Sequence, residues 1–188
     1  MLFRSIGGAI VNHGEVSHGA CGSSGEFGHM VMDPNGPLCD CGNYGCLEAI
    51  SSGNAIAKKG AARVRSGEIS GFLDPSYKIE AKDIFEAAQK EDPYCRKIVE
   101  QAISTLGTAI ASVINLLDPD VIVIAGGISK SWDSYRDFLM TSIHEHQMKY
   151  TGEKVRIELN RLGDYGPAIG AATLLVQDFI RNGGEFDM

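Results

Sequence analysis

The sequence predicts an α/β fold, with a short antiparallel pair near its start and alternating helices and strands after it. Three observations carry this expectation. "VIVIA" at residues 121–125 is a continuous, largely β-branched run, the pattern of a strand buried on both faces. Before it, Ile98, Ala102, Leu106, Ile110, Val113 and Leu117 recur at helical spacing. After it come an amphipathic stretch and the alternating "VRIEL", so strand, helix, strand and helix succeed one another as in a layered α/β lobe.

Taken in order, residues 6–11 read as a strand, and "NHGE" as a turn into a short returning strand near Val16. The next stretch, "GEFGHMVMDPNGPLCDCGNYGCLE", is dense in turn-forming residues. Leu47 opens a helix, and Ser52-Gly53 breaks it before a second helix that runs to about Arg65. "SGEISGFLDPSYK" is polar and turn-rich, a surface loop. Residues 82–90 form a short helix. Asp92-Pro93 then caps the long one, since proline suits the first helical position. A glycine pair after "VIVIA" leads into a helix with Trp132, Tyr135, Leu139 and Ile143 on one side, and residues 167–180 close the chain as a helix. There is no internal repeat, low-complexity tract or interdomain linker.

Composition excludes several classes of function. At 188 residues the chain can bury one core, as a domain or as one lobe of a larger protein. Its 44% hydrophobic and 22% charged content is that of an ordinary globular domain. A net charge of −7 with no basic run argues against a nucleic-acid partner. With no unbroken apolar run of eighteen residues and no signal-peptide pattern, the expectation is a cytoplasmic protein without a membrane partner. The cysteines number five, three of them within one loop. A reducing compartment disfavours disulfides, which shifts that cluster towards metal.

Cys39, Cys41 and Cys46 supply three soft donors, and His29 can supply a fourth. Pro34, Gly36, Pro37, Gly42 and Gly45 lie between them and suit the tight turns that bring donors together. Four nitrogen and sulfur ligands match tetrahedral zinc with a closed, structural shell. The C-x-C-x4-C spacing is not that of a zinc finger. Cys21 and Cys95 are isolated, and each reads as a packed core thiol.

"GEFGH" followed by "CDCGNYGCLE" resembles the signature of the ROK family (repressor, open reading frame, kinase). The family pattern is G-E-x-G-H followed by C-x-C-G-x-x-G-C-x-E, and every fixed position is matched. The resemblance continues through "GGAIVNHGEVSHGA", "NLLDPDVIVIAGGIS" and "GDYGPAIGAATLL". It implies the two-lobed, actin-like sugar kinase fold, with a ribonuclease H-like sheet in each lobe. Residues 6–188 then correspond to the C-terminal lobe, with a zinc loop at 29–46. The N-terminal lobe, with its D-x-G-x-T phosphate loop and catalytic aspartate, is outside this sequence. "LFRS" is what CTC-TTC-CGA-TCT encodes, the end of a common sequencing adapter, so residues 1–5 are expected not to be native.

The resemblance also assigns roles. Glu26, His29 and Glu48 match the family's sugar-contacting positions, and carboxylates suit vicinal hydroxyls because they accept paired hydrogen bonds. His29 can bind zinc through one ring nitrogen and offer the other to a hydroxyl. Gly126 and Gly127 end a strand just before a helix, where open α/β sheets leave a crevice for ligands, and in the family this pair lets adenosine approach. Gly7 and Gly8 match the end of the second phosphate motif, G-T-G-I-G-G. Here Phe3, Arg4 and Ser5 replace its first three positions, a departure from the small profile that phosphate-cradling amides need. The implied activity is transfer of the γ-phosphoryl of Mg-ATP to a hexose or N-acetylhexosamine, with the general base in the other lobe and the parent a homo-oligomer. Two other readings remain open at this point. One is a sugar-sensing repressor of the same family with its DNA-binding segment elsewhere; the other is a zinc-braced interaction module.

Overall fold

The computed structural model describes residues 5–68, 73, 76–149, 154–181 and 183. Residues 1–4, four of the five expected not to be native, lie outside the described residues, as do 69–72, 74 and 75 of the expected surface loop. The chain opens with a small hairpin, β1 (Val11–Asn12) and β2 (Glu15–Val16), turned by His13 and Gly14 and extended by Ser17 N–H donating to the Ile10 carbonyl at 2.8 Å. The strand expected over residues 6–11 is not formed over 6–10. Strands are defined by ladder pairing, and among the described residues this segment lies against a loop instead.

The helices follow the local signals. After the turn-rich segment come α1 (Leu47–Ser51) and α2 (Gly53–Arg65), where the Ser52 hydroxyl accepts the Ala55 N–H at 3.1 Å as an N-cap. In α3 (Ala81–Gln89) the Glu80 N–H donates to Asp83 Oδ2 at 2.8 Å. In α4 (Pro93–Leu117) Asp92 Oδ1 accepts the N–H groups of Tyr94 and Cys95, with Pro93 at the first helical position. By length and composition α4 alone among the described residues could cross a membrane. Half of that stretch is buried in the protein, as in a core helix, because α4 packs against α1, α2, α3 and α5. This wide contact explains a difference from the expected stripe: Ile103 and Ile114 are buried, Leu106 and Val113 partly so, and Leu117 is exposed. Ile56, Ile84, Phe85, Cys95, Tyr135, Leu139 and Ile143 complete the core.

β3 (Val121–Ile124) pairs in parallel with β4 (Arg156–Leu159), with Val121 opposite Arg156 and Ile124 opposite Leu159. Between them lies α5 (Trp132–His146), whose Tyr135, Leu139 and Ile143 are buried on one side as its amphipathic pattern requires. α6 (Gly166–Arg181) follows. β3 is not buried on both faces. Ile122 and Ile124 pack against the helical core, whereas Val121 and Val123 are 37% and 57% exposed. Alternate side chains leave opposite faces of a strand, and only one face of β3 meets the helical core among the described residues. Cys95 is the core thiol that its isolation suggested, but Cys21 is exposed: it sits between the turn glycines Gly19 and Gly22, and no element among the described residues covers it.

Candidate functional site

The turn-rich segment folds into a compact loop closed by two isolated antiparallel bridges, Val31 with Cys46 and Leu38 with Tyr44. Gly45 stands at its waist. Its carbonyl accepts from Met32 and Asp33, and its own N–H donates to the Pro37 carbonyl at 2.8 Å. Inside the waist, the Cys39 N–H donates to the Asn43 carbonyl and the Gly42 N–H to the Cys39 carbonyl. These bonds fold residues 37–46 back on themselves, with Cys39 and Cys46 buried and Cys41 exposed. A short 3-10 turn, Phe27–His29, brings the imidazole to the same point.

His29, Cys39, Cys41 and Cys46 thereby place their ligand atoms within 4.8 Å of one another. Cys41 Sγ and Cys46 Sγ are 3.6 Å apart, and Cys39 Sγ is 3.7 Å from His29 Nδ1. A tetrahedral zinc with Zn–S bonds of about 2.3 Å has S···S edges of about 3.8 Å, so the donor set has the size the ion requires. The thiol chemistry points the same way. Burial pushes Cys46 up from 9.0 to about 12, and the neighbouring Cys41 and Cys39 add to the rise. The Asn43 backbone N–H holds Cys41 below its ordinary value, against the effect of burial, with smaller help from Cys39, Cys46 and His29. The Cys46 thiol therefore resists ionising on its own, and a divalent cation would supply the charge that lets it do so.

The carboxylates stand at the two ends of this loop. Glu26 Oε2 is 3.8 Å from His29 Nε2, so one imidazole faces the thiols through Nδ1 and a carboxylate through Nε2. Glu48 lies in α1, two residues beyond Cys46, and its Oε2 accepts the Ile6 N–H at 3.0 Å. Of the four glycines with an expected nucleotide role, Gly7, Gly126 and Gly127 have nothing among the described residues within 4 Å of where a Cβ would stand, and Gly126 has φ 86, which favours glycine. Backbone can approach a ligand closely at those three. Gly8 is different: a Cβ there would lie 2.9 Å from Phe27 Cε2 and closer still to Cδ2. Phe27 and the Ile6 N–H are parts of the site that sequence reasoning missed. The only available signal was an aromatic residue at the free position of G-E-x-G-H.

The chain is similar to known proteins along most of its length. The glucokinase of Thermotoga maritima is 31% identical over 177 residues, covering 93% of this chain and 56% of that protein. The DNA-binding transcriptional dual regulator NagC of Escherichia coli is 33% identical over 174 residues, covering 93% and 42%. The chain thus spans about half the length of the curated relatives it matches. Among solved structures, a ROK family glucokinase from Streptomyces griseus, in complex with glucose and AMPPNP, superposes with a TM-score of 0.78 at 27% identity, covering 94% of this chain and 59% of that one. The ROK family profile matches residues 1–178, and the chain belongs to the ROK family.

Proposed function

We propose that these residues form the sugar-binding, zinc-binding and adenosine-side lobe of an ATP-dependent kinase acting on a hexose or N-acetylhexosamine. The observation that carries the reading is the shared imidazole of His29, with Cys39 Sγ 3.7 Å from Nδ1 and Glu26 Oε2 3.8 Å from Nε2. Zinc on His29, Cys39, Cys41 and Cys46 fixes the ring, and the ring and Glu26 together present a polar face to vicinal hydroxyls. Glu48 completes it from α1. The role of these three groups is to hold the acceptor hydroxyl in line with the γ-phosphate, which lowers the barrier by removing translational and rotational freedom. Gly126, Gly127 and Gly7 give the nucleotide of Mg-ATP room to lie against backbone. The general base belongs to the N-terminal lobe, outside these residues. A cytoplasmic, homo-oligomeric parent is part of the same proposal.

The test is ADP release from Mg-ATP by the full-length protein, with glucose, N-acetylglucosamine and N-acetylmannosamine as acceptors. One of these should be turned over. Loss of a charged hydrogen-bond partner costs about 1.5–3 kcal/mol, so Glu26→Ala and Glu48→Ala should each raise the sugar KM by roughly tenfold or more. Turnover with both variants matching the parent would refute the assignment. The second reading, a sugar-sensing repressor, is favoured by the 33% identity with NagC. Sugar binding without ADP release, together with a helix-turn-helix in the parent, would establish it.

A further inference from the structure

Residues 6–8 and 25–28 approach more closely than any side chain would allow. Gly25, at φ 88, would place a Cβ 2.5 Å from the Gly8 carbonyl oxygen, and Gly28 would place one 3.0 Å from the Ile6 carbonyl carbon and overlapping its oxygen. On the other side, the Phe27 ring occupies the space a side chain on residue 8 would need. Glu48 Oε2 fastens the same segment through the Ile6 N–H.

We propose that Phe27 is a positioning residue for the nucleotide-facing backbone: its ring fixes where Gly7 and Gly8 lie, and residue 8 must be glycine because of Phe27 rather than because of phosphate. The inference rests on the reading of Gly7 and Gly8 as nucleotide-facing. Phe27 belongs to the turn that carries Glu26 and His29, so the backbone offered to the nucleotide and the groups offered to the sugar move as one body. Gly7, next in the chain and with no described residue within 4 Å of where a Cβ would stand, is left to meet the ligand.

The experiment is a double-variant cycle in the full-length protein, read as the affinity for AMPPNP with Mg2+. Gly8→Ala should weaken binding on the order of tenfold, as overpacking of a tight contact does, and adding Phe27→Ala should recover most of the loss. Gly7→Ala, whose Cβ meets nothing, should gain nothing from Phe27→Ala. A double variant that binds no better than Gly8→Ala, or an equal rescue of Gly7→Ala, overturns the proposal. If Gly8→Ala does not fold, the cycle is read as melting temperature: a folded double variant supports the proposal, and one as unstable as the single overturns it. A parent protein that binds no AMPPNP at all overturns the kinase reading and this inference with it, an outcome distinct from failed rescue.

Discussion

Cys46→Ser tests the metal loop at its most buried donor. Cys46 is fully buried and leads directly into α1, so its serine variant keeps the fold's volume while replacing a thiolate by a hydroxyl that zinc binds poorly. Structural zinc contributes on the order of 10–16 kcal/mol in finger peptides. Shared among four donors, one thiolate accounts for about 3 kcal/mol, and each 1.4 kcal/mol is a factor of ten. The variant should therefore bind zinc about a hundredfold more weakly. The assay is competition with a chromogenic chelator, alongside elemental analysis of protein purified without added metal. The parent should carry one zinc per chain. Because Glu48 lies two residues beyond Cys46, the sugar affinity of the variant should fall as zinc is lost and recover when excess zinc is supplied. A parent with a zinc content near zero would refute the reasoning, as would a Cys46→Ser variant with unchanged affinity.

Two further predictions follow from the helical core. At the crossing of α4 and α5, a Cβ on Gly107 would stand 2.6 Å from both Cβ and Oγ of Ser142, whose hydroxyl donates to the Ser104 carbonyl at 2.9 Å. Gly107→Ala should cost about 1–3 kcal/mol in urea unfolding, and an unchanged midpoint would show that the helices part freely. Cys95 is pushed up from 9.0 to about 12 by burial, with the Asp92 carboxylate adding to the rise. The folded thiol thus keeps a proton that the unfolded one releases above pH 9.0, so this contribution to stability is whole below pH 9 and is lost as the pH rises towards 12. Cys95→Ala should flatten the alkaline limb of the stability profile, and an identical limb in the variant would refute the assignment.

What could be read in the sequence was what depends on near neighbours. The four metal donors lie between residues 29 and 46, so turn chemistry alone was enough to suggest their convergence. Asp92-Pro93 announced α4 because a cap acts within a few residues, and Asp92 does accept the Tyr94 and Cys95 N–H groups. The exposed face of β3 was not legible. A run of β-branched residues reports strand propensity, and which layer covers Val123 is decided by tertiary packing. The partnership of Gly8 with Phe27 was hidden for the same reason, since no local rule links a glycine to a ring on a separate turn. The glycine pair at residues 7 and 8 looked alike on paper, yet one is open and the other is closed.

The local character of the metal loop has a consequence for synthesis on the ribosome. All four donors precede residue 47, whereas the β3–β4 pair joins Val121 to Arg156 across the whole of α5. At roughly 5–20 residues per second, the thiols leave the exit tunnel several seconds before β4 has been translated. The loop needs only short-range closure, and its entropic cost grows slowly with length. Metal loading is thus available to a nascent chain that cannot yet form its parallel sheet. If the loop holds zinc, zinc scarcity would act during translation, on chains whose metal loop has not closed, and its signature would be fewer completed molecules rather than weaker ones.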